Sequence, residues 1–407
     1  MPDNDLKRFS ALYNRDFRLF WLGQVISLSG TWMHSVAQGW LVYSLTKSPL
    51  YLGLVASCAS LPILLFTLLG GSLADRYPRR NIVLVTQALS IVPALTLGIL
   101  TYLDIVEVWH VAVLAFLFGM LNAFDVPARQ ALLSDLVGRK NITSAIALNS
   151  AAFNGARVLG PLMAGILIAG VSMPACFFLN ALSFVPVVIA LSRIKAVEKT
   201  IVNEKGFLEG IGDGWRFVLR EKRVLYIMSL ITIFSLFGIP YVTMLPVIAE
   251  EVLNSGVTGL SMLVSTAGTG SFIGAIFIAF RGDIGLKGLF IPAAANVFAM
   301  AVMALSFSHN YYLSLFFIFF AGLGIVSFLA VCNSFIQHTV SDALRGRVMS
   351  LYTLVFLGFA PLGNSAIGFA AHAFGTLESL HLFAAVCIIS SMLFALLFAR
   401  HHEEAGV

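Results

Sequence analysis

The residues of this chain that could do chemistry are few, and they sit where charge is expensive. Asp125 and Arg157 are the full charges embedded in long apolar runs. Arg157 lies about 11 residues, roughly 16 Å, into its run. An unpaired guanidinium at that depth in hydrocarbon is costly, so Asp125 on the preceding run is its expected partner, directly or through a water. A carboxylate favoured in its charged form by an arginine and disfavoured by burial is a candidate proton carrier. A permanent structural ion pair fits the same residues equally well.

A second group has a period. Gln24, Ser27, Thr31, His34, Ser35 and Gln38 recur at steps of three and four, which places them on one face of a helix. A polar stripe does not face lipid. It lines a cavity or binds a neighbouring helix. The His34 imidazole ordinarily titrates near neutrality, although a hydrogen-bonded structural role suits it too. Further polar groups are Ser229, Thr232 and Ser235, with a bend expected at Gly238 and Pro240, and Asn333, Gln337, Tyr352, Thr353 and Asn364.

Other chemistry is missing from the pattern. No H-E-x-x-H, G-x-S-x-G or phosphate-binding glycine loop occurs, and the histidines lack ligand spacing. The expectation is therefore no metal, no cofactor and no enzymatic turnover. Cys58, Cys176, Cys332 and Cys387 lie in apolar stretches without a C-x-x-C and read as small core residues.

The elements that must hold these residues follow from composition. The chain has 407 residues, 59% hydrophobic and 11% charged, against about 25% charged for a soluble domain. A soluble fold of this length would expose too much apolar surface. The N-terminus is polar for about 16 residues and shows no small-residue cleavage site, so no removable signal is expected. Windows free of charge and about 20 residues long mark membrane helices. They fall at 19–46, 48–74, 81–103, 108–124, two within 141–192 divided at Gly170–Pro174, 224–249, 252–280, two within 288–341 divided at Ser308-His309-Asn310, 348–377 and 379–399. That predicts an all-α integral membrane protein with twelve spans. Uniform runs of this length are unlike the short alternating strands of a barrel.

Charge sets the expected orientation. With both termini cytoplasmic, all of the 25 Lys and Arg residues except Lys47 and Arg157 fall inside, as the positive-inside rule requires. The net charge of +5 is then a topology signal rather than a nucleic-acid footprint. Trp21, Trp40 and Trp109 sit at expected interfaces, and Trp215 lies in a central loop that reads as an interfacial helix or a solvated linker.

The spans divide into residues 1–192, a cytoplasmic linker at 193–223, and 224–407. Weak echoes join the halves. Gly160-Pro161-Leu162 matches Ala360-Pro361-Leu362, Gln130 with Ser134-Asp135 matches Gln337 with Ser341-Asp342, and Asp75-Arg76 has a worn counterpart near Arg281 and Asp283. Repeated halves that rock about a shared site are the sequence mark of a transporter.

Particular residues carry a family resemblance. Gly71-Ser-Leu-Ala-Asp75-Arg76-Tyr-Pro-Arg79-Arg80 resembles the loop signature G-x-x-x-D-R-x-G-R-R of the major facilitator superfamily, with Pro78 in place of the second glycine. Gly160-Pro161-Leu-Met-Ala164-Gly165 is similar to the fifth-span motif of its antiporters. LYNRDFRLFWLGQVISLSGTWMHSVAQGWLVYSLTKSPLYLGL and DVPARQALLSDLVGRKNITSAIALNSAAFNGARVLGPLMAG look like the bacterial enterobactin-exporter and macrolide-efflux branch.

The resemblance implies two pseudo-symmetric six-helix bundles and multi-pass residence in a bacterial inner membrane. It implies that Asp75, Arg76, Arg79 and Arg80 latch one conformation, although the arginines also suit a purely topological role. It puts the first span on a central cavity, with Gln24, Ser27, Thr31, His34, Gln38 and Asn333 as candidate lining. Gly160, Pro161 and Gly165 become a helix-packing motif. A cavity of neutral polar groups, in a chain with 34 Phe, suits a lipophilic or amphipathic solute of the siderophore or drug type. The expectation is a secondary-active exporter, coupled to protons at Asp125 and Arg157. The alternative is a lipid or lysophospholipid flippase of the same fold. The expected partners are the small solute, protons and membrane lipids, with no nucleic acid and no second subunit.

Overall fold

Runs without charge, broken by Gly, Pro, Asn or Lys, fold as helices because a backbone in hydrocarbon must satisfy its own polar groups. The computed structural model describes residues 10–194, 207–281 and 287–404, and they are helical nearly throughout. The first unit carries α1 (Arg15–Thr46), α2 (Pro49–Arg76), α3 (Arg79–Tyr102), α4 (Val108–Gly138), α5 (Asn141–Gly170) and α6 (Met173–Arg193). A shorter amphipathic α7 (Phe207–Arg220) follows. Then come α8 (Lys222–Val252), α9 (Gly256–Arg281), α10 (Lys287–Ser306), α11 (Tyr311–Thr339), α12 (Leu344–Phe374) and α13 (Thr376–Glu404). Eleven of these are long and apolar enough to cross a membrane. The twelfth long helix is α1, 32 residues, which its polar stripe makes less apolar.

The helix ends obey local chemistry. Asn14 caps α1, its Oδ1 accepting from the backbone N–H of Asp16 at 2.9 Å and Phe17 at 3.0 Å. Its Nδ2 donates to the Leu136 carbonyl at 2.8 Å. Lys47 ends α1 at φ 49°. The expected break at Ser308-His309-Asn310 is present, and the Asn310 side chain caps α11.

α4 differs from expectation. The charge-free window ran over 108–124, with Asp125 near the inner end of the span. The helix instead continues through Pro127 to Gly138, where φ is 67° and ψ 175°. The chain thus carries Asp125, Arg129 and Asp135 on helical turns.

Two compact units form, Met1–Lys47 with Cys58–Asn203, and Ser48–Ser57 with Glu204–Val407. In the first, α1 packs on α6 and on the α4–α5 segment, and α3 packs on α6 and α4–α5. One core cluster gathers Phe17, Phe20, Ala74, Val83, Leu133, Val137, Ala145 and Leu191. Those residues are the start of α1, the end of α2, the start of α3, the end of α4, the start of α5 and the end of α6. The six helices therefore alternate in direction, and Arg15, Arg18, Arg76, Arg79, Arg80 and Arg193 share one end of the unit.

In the second unit α11 packs on α9 and α10, and α10 on α13. α7 lies on α12, where the position a Gly214 Cβ would take is 3.2 Å from Arg347 Cβ. Val218 of α7 is buried and Trp215 is exposed, so the helix has one face in and one out. Of the expected linker, Lys195, Lys199 and Lys205 lie outside the described residues, as do Lys7 and Arg8. The first turns of α2 belong to this unit, with the Ser57 hydroxyl 2.7 Å from the Pro361 carbonyl oxygen and 2.8 Å from Ser365 Oγ.

α8 leaves α-geometry where the sequence marked a bend. A wider turn spans Phe234–Gly238 and a tighter one Ile239–Met244 around Pro240, since proline removes a backbone donor. α12 is interrupted just before Ala360-Pro361. The Ser235 hydroxyl donates to the Phe356 carbonyl at 2.7 Å, and Thr243 Oγ1 to Asn364 Oδ1 at 2.9 Å, so the two irregular stretches satisfy each other.

Candidate functional site

The first unit holds a buried polar chain. Asp125, on α4, is 2% exposed. Its Oδ1 accepts from Thr86 Oγ1 at 2.7 Å and from Gln87 Nε2 at 3.1 Å, both on α3. Its Oδ2 forms an ion pair with Arg129, one turn further along α4. The Ser27 hydroxyl of α1 donates to Gln87 Oε1 at 3.2 Å. Groups of α3 and α4 thereby meet on one carboxylate, with α1 joined to them through Gln87, and each donor to Asp125 offsets part of the cost of placing it in hydrocarbon. Gln24 lies one turn before Ser27, 1% exposed, with neither amide atom hydrogen-bonded.

This corrects the expected Asp125–Arg157 pair. The carboxylate is held by Arg129, four residues away on its own helix. The Arg157 guanidinium lies over the Trp32 ring at 5.5 Å, and Trp32 also meets the edge of Phe153 at 5.8 Å. The physical reason is reach. Residues at i and i+4 of one helix are neighbours without any interhelical adjustment, and α4 runs on far enough to supply Arg129.

The α1 stripe divides. Ser27 is tied into the Asp125 chain. His34 is 5% exposed, its Nε2 lying 3.2 Å from Gln38 Oε1. Its ring stacks on Phe118 at 5.5 Å and meets Phe177 edge-on at 5.0 Å. Both residues thus act as contacts inside the first unit. Thr31 is half-buried and its hydroxyl donates back to the Ser27 carbonyl at 2.9 Å. Asn333 belongs to the second unit, its Oδ1 accepting from Gln337 Nε2 at 2.5 Å.

The basic end of the unit has its own network. Arg79 Nη1 donates to Asp135 Oδ1 at 2.7 Å and to the Ala131 carbonyl at 3.1 Å, and Nε donates to the Ala74 carbonyl at 3.4 Å. One guanidinium so joins the ends of α2, α3 and α4. Asp75 is more remote, 3.9 Å from Arg79 and 78% exposed in its side chain. Arg80 Nε donates to the Leu191 carbonyl of α6 at 2.7 Å.

Close packing supports both networks. A Cβ on Gly160 would lie 2.5 Å from Trp32 Cβ and 2.7 Å from the Ser29 carbonyl oxygen, so α5 crosses α1 at backbone distance. Pro161 and Gly165 are buried beside it. Gly70 faces the backbone of Ala123 and Phe124 on α4, whereas Gly71 faces open space.

Sequence reasoning missed four residues here. Arg129 was legible as the i+4 partner of Asp125. Asp135 was the acidic exception in a basic stretch. Thr86 and Gln87 had no signal beyond being polar in a span. Among the described residues no group of three or more His, Cys, Asp or Glu gathers to hold a metal ion.

Known proteins resemble this chain along most of its length. A family described as transmembrane secretion effector matches residues 7–406. The staphyloferrin A transporter of Staphylococcus aureus is 27% identical over 385 residues, covering 93% of this chain and 95% of that protein. The multidrug efflux pump Tap of Mycolicibacterium fortuitum is 26% identical over 361 residues, 85% of this chain and 87% of its own. Macrolide efflux protein A of Streptococcus pyogenes is 23% identical over 356 residues with the same shares. Among solved structures, the nucleoside transporter NupG superimposes with a TM-score of 0.73 at 12% identity, over 94% of this chain and 99% of that one. That likeness establishes the fold.

Proposed function

The chain belongs to the transmembrane secretion effector family of the major facilitator superfamily, and on that premise we propose that it exports lipophilic or amphipathic small molecules in exchange for protons. The relatives named for staphyloferrin A, macrolide and multidrug transport support a solute of siderophore or drug type. The observation that carries the proton half is Asp125: a carboxylate 2% exposed, gripped by Thr86, Gln87 and Arg129. A proton taken up there neutralises one member of a buried pair and loosens Arg129, which is a local change that a two-state bundle can register.

In the same reading Asp75, Arg76, Arg79 and Arg80 form a conformational latch, with Asp135 as the anchor of Arg79. Thr31 and Gln38 are the solute-facing groups of the first unit, with Arg157 on Trp32 as their cationic element; in the second unit, taken by itself, Asn333 has that role. Both termini lie in the cytoplasm, the membrane is the bacterial inner membrane, and the chain works as a monomer.

The test is uptake of a lipophilic dye into inverted vesicles. Wild-type uptake collapses when the pH gradient is dissipated. Asp125→Asn keeps the shape of the site and removes the titratable proton, so gradient-driven uptake falls about tenfold or more, equivalent to about 1.4 kcal/mol, while the protein stays folded. Uptake that persists without any gradient refutes proton exchange. Wild-type rates in Asp125→Asn remove this carboxylate from the mechanism.

A further inference from the structure

Outside the polar chain, the first unit carries a groove of about 460 Å³ between α3 and α4, within the range of small-molecule sites. Its walls are Leu73, Val85, Leu89, Leu121 and Phe124. Val85 and Leu89 are about half exposed (51% and 49%), so the groove opens out of the bundle, toward the surface that a membrane helix presents to lipid. Along α3 it runs from Asn81 to Leu89, eight residues or roughly 12 Å.

Its two ends differ. The inner end is apolar. The other is formed by Tyr77, Pro78 and Asn81, beside the basic end of the unit. Arg76 there is exposed, and Arg80 Nη1 donates to Asn81 Oδ1 at 2.8 Å. A linear apolar slot whose Tyr77–Asn81 end adjoins Arg76 in sequence and Arg80 through its bond to Asn81 is complementary to an acyl chain ending in an anionic headgroup. A neutral lipophilic solute would fill the slot and leave the cations unmatched. Free phosphate would match the cations and leave the slot empty.

We propose that this groove binds one anionic phospholipid, with an acyl chain laid along Val85, Leu89, Leu121 and Phe124 and its phosphate at Arg76 and Arg80. The site does not depend on the export reading. It does touch the buried carboxylate, because Thr86 forms part of the groove lining and donates to Asp125. Occupancy of the groove therefore bears on the hydroxyl that donates to the Asp125 carboxylate.

The experiment is native mass spectrometry of the full chain, purified and exposed to equal amounts of phosphatidylglycerol and phosphatidylcholine with identical acyl chains. Wild type retains one phosphatidylglycerol, preferred by about fivefold or more, the effect of a single basic residue near a membrane surface. Val85→Trp and Leu89→Trp each fill the slot from an exposed position and lower that retention about fivefold. Two fillings are used so that a variant failing to fold, judged by circular dichroism, is replaced by the other. Arg76→Gln combined with Arg80→Gln abolishes the headgroup preference without emptying the slot. Equal retention of the two lipids by wild type overturns the proposal, as does a folded, filled groove that keeps its phosphatidylglycerol. If filling blocks dye export but leaves lipid retention unchanged, the groove belongs to the transported solute and the proposal is likewise wrong.

Discussion

Asp125 is satisfied by its own helix and by α3, which changes which arginine its stability depends on. Its side chain is 3% exposed and that of Arg129 14%. Removing one member of a buried pair leaves the other uncompensated and costs on the order of 3–5 kcal/mol. Arg129→Ala is therefore expected to lower the melting temperature in detergent markedly, and most of that loss should disappear in an Asp125→Asn background, where no carboxylate is left without its cation. Equal losses in the two backgrounds would argue against Arg129 as the partner. The i, i+4 spacing of Asp125 and Arg129 was legible in the sequence. It was masked by counting Arg129 as a loop anchor, because sequence gives no hydrocarbon boundary and Pro127 between them reads as a helix breaker. The Thr86 and Gln87 donors could not be read at all, since which turn of α3 faces α4 is settled by packing.

At the scale of elements, glycines separate close approach from conformation. A Cβ at Gly160 would meet α1 at 2.5 Å, while one at Gly155 on the same helix meets nothing within 4 Å. Gly160→Ala must push α5 off α1 and costs about 1–3 kcal/mol by overpacking. Gly155→Ala only rigidifies a helix and gains about 0.5–1 kcal/mol. Detergent melting curves should show shifts of opposite sign. Gly138 is a third case, with open space around it and φ 67°, ψ 175°, a region essentially confined to glycine. Gly138→Ala is expected to cost about 1–3 kcal/mol through the backbone alone, visible as a lower melting temperature without a change in helix content. The Gly-Pro echo shows what a motif leaves open. Around Pro161 the helix is continuous, whereas Pro361 restarts α12 after a break. The shared Pro-Leu pair sits in different surroundings: Gly160 before the first rests on a regular stretch of α1, whereas Ala360 stands before the second and Gly363 after it rests on the distorted turn of α8, with Ser235 O at 2.8 Å and Leu236 O at 2.7 Å from its Cβ position.

For the whole molecule, the clustering of Arg15, Arg18, Arg76, Arg79, Arg80 and Arg193 at one end of the first unit makes orientation testable. Reporter fusions at residue 1 and residue 407 should both be active as cytoplasmic reporters, and one inserted beside Lys47 should not. Fusions at the two termini that report opposite sides would refute the twelve-span arrangement. The sequence by itself determined the helical class, the number of long helices and most of their breaks, the end of α4 excepted. These follow from how many consecutive residues tolerate hydrocarbon and where Gly, Pro, Asn and charge interrupt them, which are local properties of the chain. Only the tertiary structure decided who partners whom: Arg129 rather than Arg157 for Asp125, Asp135 for Arg79, Phe118 and Phe177 around His34. Those choices depend on the rotation and axial offset of one helix against the next, and that is fixed by side chains far apart in sequence filling the same space.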